Sequence, residues 1–420
     1  MKTHYQILII GGGTAGIMTA AQLQKEQKSL DIAIIEPSES HYYQPAWTLV
    51  GAGTYDYDKT RRDTKDFIPN GVEWIKDKAT ALLPKENLVK TTTTDFTYDY
   101  LIVATGLVYD FSLIEGLTES IDKGIVCSNY TNSKHTWEVI KNFKGGNAIF
   151  TLPTTPIKCG GAPQKIAYLA ADHFRKIGID KQTNVVFASP SSVIFGVKPI
   201  AETLMKVIER YDIHFKPFYA PVKIDAQNQI ITFQYRAPDR TAYQIDDKIK
   251  EEQFIEEENM YIKMPFDMLH LAPPQRAPKF VRESDLANPD GWLDVDIHTL
   301  QHKKFANVFG LGDVAALPTA KTGAAIRKQV PIMSEHLLSL INKIPKSTAS
   351  YNGYSSCPLV TGYGKMALAE FDYDNNFTPD PKLKQMLVFD SEKEHWRLWM
   401  FKKYLLPYLY WNRMLKGKKV

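Results

Sequence analysis

Cysteine is scarce in this chain, with only three in 420 residues. Small secreted domains that depend on disulfides carry many cysteines, usually in even number, so a secreted disulfide scaffold is excluded. The N-terminus runs into an apolar strand pattern without a signal-peptide or transit-peptide pattern, and we therefore expect cytosolic folding. Strong charge is also lacking, because the formal net charge of +4 is small and evenly spread outside the C-terminal tail. That balance argues against nucleic-acid binding.

The opening of the chain contains a dinucleotide-binding fingerprint. An apolar strand pattern over residues 6–10 leads into Gly11-Gly12-Gly13-Thr14-Ala15-Gly16 and then into a helix pattern. In such a turn the first glycine permits the tight bend, the second lets the backbone approach a pyrophosphate, and the third lets helix and strand pack closely. The helix N-terminus then faces the phosphates. A second apolar strand pattern ends at Glu36, where a carboxylate can accept hydrogen bonds from a ribose.

Two later segments indicate which dinucleotide binds. One is a strand pattern that ends in Ala104-Thr105-Gly106, and the other ends in Gly312-Asp313 after an apolar strand. Both resemble motifs of the two-dinucleotide-domain flavoproteins, in which the Gly-Asp acid holds the ribityl chain of FAD. The resemblance implies that the first fingerprint binds FAD.

A second glycine fingerprint, expected near residue 150 for NAD(P)H, is missing. The strand pattern 147–152 leads into a turn with Pro153 and Pro156, where close-approach glycines would be needed. The next strand pattern ends in Ser189, without a carboxylate for a ribose. We therefore predict a second Rossmann-like domain that lacks a nicotinamide site, so that the electron donor is not NAD(P)H.

Cys159 lies in this altered turn, just before a helix pattern that begins at Pro163. A helix N-terminus stabilises a thiolate by about 0.3–1 kcal/mol, whereas lowering a thiol pKa from ~8.5 to ~7 needs about 2 kcal/mol. Lys158, another cation or the flavin would have to supply the remainder. The alternative is that Cys159, like Cys357, is a small buried apolar residue, the common role of an isolated intracellular cysteine.

Five segments together resemble the sulfide:quinone oxidoreductases, specifically the branch that includes the mitochondrial enzymes. The segments are 41–51, 153–163, 321–325, 357–364 and 410–417. The resemblance implies that Cys159 and Cys357 form a redox-active disulfide or trisulfide facing the flavin. Sulfide then opens the bridge, leaves a persulfide on Cys357 and releases Cys159 as a thiolate. The electrons pass through FAD to a quinone, and the sulfur leaves as polysulfide or goes to a small acceptor.

The fingerprint and these resemblances together predict the site residues. No metal is expected, and the catalytic residues are Cys159 and Cys357. The predicted cofactor-binding residues are Gly11, Gly13, Thr14, Ala15, Gly16, Glu36, Gln44, Pro45, Thr105, Gly106, Gly312, Asp313 and Lys321.

Two of the remaining assignments keep an alternative. Lys321 is placed near the pyrimidine end of the flavin, where it could stabilise a reduced anionic ring, or else it is a solvated surface lysine. Cys127 is either a third functional cysteine or a buried apolar residue. No histidine is assigned as general acid or base.

The C-terminal tail is basic and aromatic. From Trp396 to Val420 it contains no acid and seven basic residues: Arg397, Lys402, Lys403, Arg413, Lys416, Lys418 and Lys419. Apolar residues recur on one predicted face at Leu398, Phe401, Leu405, Tyr408, Trp411 and Leu415. Pro407 divides this pattern, so we predict two short amphipathic helices.

The longest uncharged run of the tail is nine residues, far below the ~20 needed to span a bilayer. We therefore predict an interfacial membrane anchor, in which each Lys or Arg near an anionic leaflet contributes about 1 kcal/mol. A dimer-forming helical pair would show the same pattern.

These observations predict an α/β fold with two Rossmann-like domains of the FAD/NAD(P)-linked reductase type. The predicted units are a discontinuous FAD-binding domain (1–110 and 290–345), a second Rossmann-like domain (111–289) and a C-terminal region with an amphipathic anchor (346–420). The expected protein is a sulfide:quinone oxidoreductase bound to the cytoplasmic face of a bacterial plasma membrane. The alternatives are a nicotinamide-fed quinone reductase and a non-catalytic redox-sensing flavoprotein.

Overall fold

The computed structural model of the chain describes residues 2–418. Met1, Lys419 and Val420 lie outside the described residues, and Lys419 is one of the basic residues predicted for the tail. The strands, numbered along the chain, are β1 His4–Ile10, β2 Ile32–Ile35, β3 Ser40–Tyr42, β4 Arg61–Asp63, β5 Val72–Ile75, β6 Ala79–Leu83, β7 Leu88–Thr91, β8 Asp95–Val103, β9 Val108–Tyr109, β10 Val126–Cys127, β11 Gly146–Thr151, β12 Thr183–Ser189, β13 Ile213–Pro217, β14 Tyr219–Asp225, β15 Ile230–Tyr235, β16 Glu252–Glu256, β17 Asn259–Pro265, β18 Met268–Leu271, β19 Gln275–Arg276, β20 Val308–Gly310, β21 Ser355–Gly362 and β22 Lys365–Phe371.

The α-helices in the same part of the chain vary widely in length. They are α1 Thr14–Glu26, α2 Trp47–Val50, α3 Leu117–Ser120, α4 Ser133–Asn142, α5 Ala162–Lys176, α6 Lys198–Tyr211, α7 Lys279–Arg282, α8 Gly323–Ile341, α9 Trp396–Met400 and α10 Leu406–Asn412.

The first sheet brings three predicted cofactor turns to one edge. Its strand order is β5-β2-β1-β8-β7-β6, and β20 pairs with the end of β8. Strands β1, β8 and β20 are parallel neighbours, with Ile10 opposite Val103 and Gly310 opposite Val103. Their carboxyl ends therefore lie together. The turns that begin at Gly11, Ala104 and Leu311 start at that edge of the sheet. This is the edge at which open α/β sheets bind their ligands.

The second sheet is parallel throughout, in the order β10-β18-β11-β12-β13. Strand β11 leads into the loop that carries Cys159, and the loop leads into α5. Residues 162–171 of α5 are all buried, and the helix packs against β21, the strand that carries Cys357. The α/β class with two Rossmann-like sheets is thus confirmed, while the domain boundaries stay a prediction.

The tail forms one nearly continuous helix, so the expectation of two separate pieces was wrong. Helix α9 passes through a π-helical turn, Phe401–Leu405, directly into α10. Pro407 lies in the first turn of α10. The π turn changes the hydrogen-bond pattern just before the proline, so the missing N–H does not end the helix.

The π turn also changes which side chains of the tail face solvent. Leu398, Trp411 and Leu415 are buried, as a single apolar face requires, but Leu405 and Tyr408 from the same predicted face are exposed. The extra residue of a π turn rotates the side chains that follow it. The exposed large apolar side chains of the tail are Trp396, Met400, Tyr404, Leu405 and Tyr408. Among residues 2–418, no helix is long and apolar enough to cross a membrane.

Candidate active site

Cys159 and Cys357 meet although they are far apart in the sequence. Their Sγ atoms are 3.9 Å apart, and both residues are free cysteines. Cys357 is 2% exposed, whereas Cys159 is half-buried. A disulfide bond has an S–S length of about 2.05 Å, so the two atoms would have to approach by about 1.9 Å to bond. The pair is therefore in contact and close to bonding distance.

Backbone hydrogen bonds hold the Cys159 loop in place. Cys159 has a left-handed backbone conformation, with φ of 51°. Its N–H donates to the carbonyl of Lys321 (2.8 Å), and its own carbonyl accepts from Ala162 N–H (2.8 Å) and from the Tyr130 hydroxyl (3.2 Å). The N–H of Lys158 donates to Gln275 Oε1 (2.9 Å). The loop is thus tied to the segment after Asp313, to β19 and to the segment that follows β10.

Gly161 makes the close approach of the sulfurs possible. A Cβ at this position would lie 2.6 Å from Cys357 Sγ and 2.6 Å from Leu359 Cδ2. The backbone of Gly161 is right-handed, with φ of −83°, so an added methyl group acts through its volume alone. The neighbouring Gly160 has more space, because a Cβ there would find only Ile157, at 3.8 Å.

We expect Gly161→Ala to prevent bridge formation between Cys159 and Cys357, while the matched control Gly160→Ala closes the bridge. After mild oxidation, thiol titration of the unfolded protein should detect all three cysteines in Gly161→Ala but only Cys127 in the control. Equal closure of the bridge in the two variants would show that the contact at Gly161 does not control the sulfur distance.

The Lys165 ammonium lies against Cys159, with its Nζ donating to Cys159 Sγ at 3.0 Å. The pKa of Cys159 is lowered well below its ordinary value because Cys357 donates a hydrogen bond to it and because Lys165 is nearby, although burial acts the other way. The pKa of Cys357 is raised well above its ordinary value by that same hydrogen bond and by burial. In the reduced pair these opposite shifts favour the thiolate at Cys159 and the thiol at Cys357.

A second buried lysine, Lys402, approaches the sulfurs from the tail. It is 3% exposed, and its Nζ donates to the carbonyl of Pro45 (3.1 Å). Burial and the nearby Lys165 lower the pKa of Lys402 to about 7, although the two sulfurs act in the opposite direction. This lysine was predicted as part of a basic membrane surface, and that placement was wrong because the residue points into the protein.

The cation beside Cys159 is Lys165 and not the sequence neighbour Lys158. Lys158 Nζ donates to Gln44 Oε1 (2.8 Å) and lies 5.0 Å from the centre of the Tyr109 ring. Sequence reasoning missed Lys165, although a signal was present. It is a lone charge in an otherwise apolar stretch of α5, six residues after the cysteine.

The first glycine turn has the features of a nucleotide site. Nothing lies within 4 Å of a Cβ added at Gly13, so that part of the turn is open to a ligand, whereas a Cβ at Gly16 would lie 1.9 Å from the carbonyl oxygen of Gly11. Glu36 follows β2, and its carboxylate accepts from Gly12 N–H (2.7 Å) and Ser38 N–H (2.7 Å). Buried Thr105 Oγ1 has no hydrogen-bond partner within residues 2–418. These residues fit a flavin nucleotide.

The Gly312-Asp313 turn lies close to the Cys159 loop. Burial raises the pKa of Asp313, and Lys158 and Lys321 partly offset this effect. Lys321 is not a solvated surface residue. Burial lowers the pKa of Lys321 to about 8, its Nζ donates to the carbonyl of Ala315 (2.9 Å), and it lies 4.2 Å from the centre of the Trp292 ring.

Cys127 has a different environment. It lies in β10, is fully buried in the apolar core of the second sheet, and burial raises the pKa of its thiol well above the ordinary value. A thiol of this kind is a poor nucleophile. The environment fits the alternative of a buried apolar residue.

Comparison with known proteins places these features in a family. A sequence profile of the pyridine nucleotide-disulphide oxidoreductase family matches residues 5–333. The chain is 41% identical to the mitochondrial sulfide:quinone oxidoreductase of Mus musculus, over 99% of this chain and 87% of the mouse protein. It is 40% identical to the corresponding protein of Dictyostelium discoideum, over 100% of this chain and 87% of that protein. The structure of the sulfide:quinone oxidoreductase from Aquifex aeolicus has the same fold, with a TM-score of 0.75, 19% identity, and coverage of 99% of this chain and 92% of that chain.

Proposed function

The chain belongs to the pyridine nucleotide-disulphide oxidoreductase family and, within it, to the sulfide:quinone oxidoreductases, and from this we propose that it oxidises hydrogen sulfide and passes the electrons to a quinone. The observation that carries the proposal is the contact of Cys159 with Cys357, with Lys165 against Cys159. The lowered pKa of Cys159 favours its thiolate, and a thiolate is the species that attacks and leaves in thiol–disulfide exchange.

The reaction proposed at this pair begins from a disulfide or trisulfide bridge between the two cysteines. For a disulfide, hydrosulfide attacks Cys357, so that one S–S bond forms, the bridge breaks, and Cys159 leaves as a thiolate. Lys165 stabilises that thiolate, and the two buried lysines attract the hydrosulfide anion. The outer sulfur of the Cys357 persulfide then passes to a small acceptor or leaves as polysulfide. Re-forming the bridge from the two cysteines releases two electrons. The flavin, when bound, would accept these electrons and pass them to the quinone.

The flavin proposed here is FAD, held by the residues predicted from the sequence. The turn Gly11–Gly16 at the start of α1 receives the pyrophosphate, Glu36 binds a ribose, and Asp313 binds the ribityl chain. The remaining predicted residues of this site are Gln44, Pro45, Thr105, Gly106, Gly312 and Lys321. Support comes from the open space at Gly13 and the unpaired hydroxyl of Thr105.

The proposed function is tested by steady-state assay of the purified holoenzyme with sulfide and a soluble quinone analogue. Reduction of the quinone that depends on sulfide, and increases when cyanide or sulfite is added as sulfur acceptor, supports it. A protein that binds FAD but reduces no quinone in the presence of sulfide would contradict it.

We also propose that the tail attaches the protein to a membrane surface. Four of the five exposed apolar side chains of the tail helix line an open groove of about 390 Å³, together with Met386 and Phe401. The four are Trp396, Met400, Tyr404 and Leu405. Arg397 lines the same groove and stacks on the ring of Trp396 at 4.8 Å. Aromatic and basic side chains together favour the headgroup region of a bilayer. The bacterial cytoplasmic face stays a prediction, because the mouse and Dictyostelium relatives that match over the whole chain are mitochondrial proteins.

We expect the triple variant Trp396→Ser, Tyr404→Ser, Tyr408→Ser to lose at least ~10-fold in binding to anionic lipid vesicles, because it removes three aromatic side chains from the exposed face. The matched control replaces Val193, Ile245 and Ile255, which are exposed outside the tail, by serine. Deleting the tail would be a poorer test, since it also removes buried Lys402 and Trp411. Vesicle sedimentation that is equal for both triple variants would contradict the anchor.

A further inference from the structure

Tyr410 of α10 reaches back to the glycine turn at the other end of the chain. Its hydroxyl lies 2.7 Å from Thr14 Oγ1 and 2.6 Å from His41 Nε2, and the residue is 6% exposed. Thr14 is the first residue of α1 and belongs to the turn proposed to hold the pyrophosphate. A side chain of the tail is therefore hydrogen-bonded to the cofactor loop.

The protons in this network can be assigned from the chemistry of its members. The other ring nitrogen of His41, Nδ1, lies 3.2 Å from the carbonyl oxygen of Gly12. A carbonyl only accepts, so Nδ1 carries the proton. Burial lowers the pKa of His41 to about 4, so the ring is neutral near neutral pH and Nε2 is an acceptor. The Tyr410 hydroxyl then donates to His41, and it accepts from the Thr14 hydroxyl.

The rest of the tail fixes Tyr410 in this position. The ring centre of Tyr410 is 4.7 Å from that of Tyr43, and the neighbouring Trp411 packs 5.1 Å from Phe67. Further along, the chain turns at Gly417 (φ +60°) directly on α1, where a Cβ would lie 2.8 Å from the backbone carbon of Ala21. The tail is thus packed against the helix that begins at the cofactor loop.

We propose that Tyr410 is a positioning residue for the cofactor-binding loop, and that docking of the tail and retention of the flavin nucleotide reinforce each other. This inference rests on the proposed binding of FAD at Gly11–Gly16. Tyr410 fixes the hydroxyl of Thr14, and through His41 it fixes the carbonyl of Gly12, so the glycine turn is held at two positions in one conformation. Because coupling between two equilibria is reciprocal, a ligand that orders the loop also stabilises the docked tail.

The test compares Tyr410→Phe with Tyr408→Phe, a control on the same helix whose side chain is 59% exposed. The first measurement is the rate of FAD release from the full-length holoenzyme after dilution, followed by the fluorescence of free FAD. The Tyr410 variant loses two hydrogen bonds and should release FAD about 5- to 30-fold faster than the Tyr408 variant. Equal release rates from the two variants would overturn the proposal.

The second measurement needs no variant. Amide hydrogen exchange of residues 406–417 in the wild-type chain should be slower in the holoenzyme than in the same chain after flavin release. Exchange that does not change with FAD would also overturn the coupling. FAD binding by the wild type is read separately in both experiments. If the wild type bound no FAD, the proposed function itself would be contradicted. If the wild type bound FAD but the two variants released it at equal rates, only the role of Tyr410 would be contradicted.

Discussion

Cys159→Ser and Cys357→Ser should each abolish the reduction of bound flavin by sulfide, while FAD remains bound. Neither sulfur is part of the glycine turn or of the Asp313 turn, so the nucleotide site keeps its residues in both variants. Serine cannot form the bridge that hydrosulfide opens, and the loss in the rate of flavin reduction should exceed about 1,000-fold. The measurement is anaerobic stopped-flow absorbance of the flavin after mixing with sulfide.

The control for these variants is Cys127→Ala. Cys127 is fully buried and its thiol pKa is raised by burial, so its removal should leave the rate of flavin reduction within about threefold of wild type. Flavin reduction at the wild-type rate in either serine variant would contradict the dithiol chemistry. A large loss in Cys127→Ala with intact FAD binding would show that the third cysteine takes part.

Replacing Lys165 by methionine should make Cys159 a much weaker nucleophile at neutral pH. Lys165 donates to Cys159 Sγ and contributes to the lowered pKa of that thiol. Without the ammonium the pKa of Cys159 rises, so the fraction of thiolate at a given pH falls and its pH profile moves to higher pH. The rate of alkylation of Cys159 at pH 7 should fall at least ~10-fold, measured by mass spectrometry of the reduced protein. Part of the effect is offset, because Lys402 loses a like-charged neighbour and its own pKa rises.

Lys158→Met is the matched control for Lys165→Met. Lys158 lies next to the cysteine in the sequence, but its ammonium pairs with Gln44. Its removal should leave the pH profile of Cys159 alkylation nearly unchanged. If the Lys158 variant shifted that profile and the Lys165 variant did not, the thiolate would be stabilised by the sequence neighbour, contrary to the geometry.

The first nucleotide turn was predictable because its signals are contiguous in the sequence. Local backbone requirements alone predict a strand, a glycine turn and a carboxylate after the next strand. The structure has these features as β1, the glycines of residues 11–16 and Glu36 after β2. The absence of a second fingerprint could be predicted for the same reason, because Pro153 and Pro156 lie in one contiguous turn. The contact between Cys159 and Cys357 could be anticipated only from the family resemblance, since nothing local connects residues 198 positions apart.

Long-range contacts of the tail were beyond sequence reasoning. Basic and aromatic residues in the tail suggested a membrane surface. In the structure, however, Lys402 points inward to the cysteine pair, and the Tyr410 hydroxyl forms a hydrogen bond with Thr14. The π turn decides which side the residues face, and no composition signal in Phe401–Leu405 marks it. The membrane-facing surface therefore had to be reassigned from the observed exposure.

The most direct test of the central claim is an anaerobic absorbance titration of the purified holoenzyme with sulfide and, separately, with NADH. The claim is that Cys159 and Cys357 act together to deliver the electrons of sulfide to the flavin. It predicts that sulfide bleaches the flavin absorbance and that NADH leaves it unchanged. Bleaching by NADH with no response to sulfide would contradict the account.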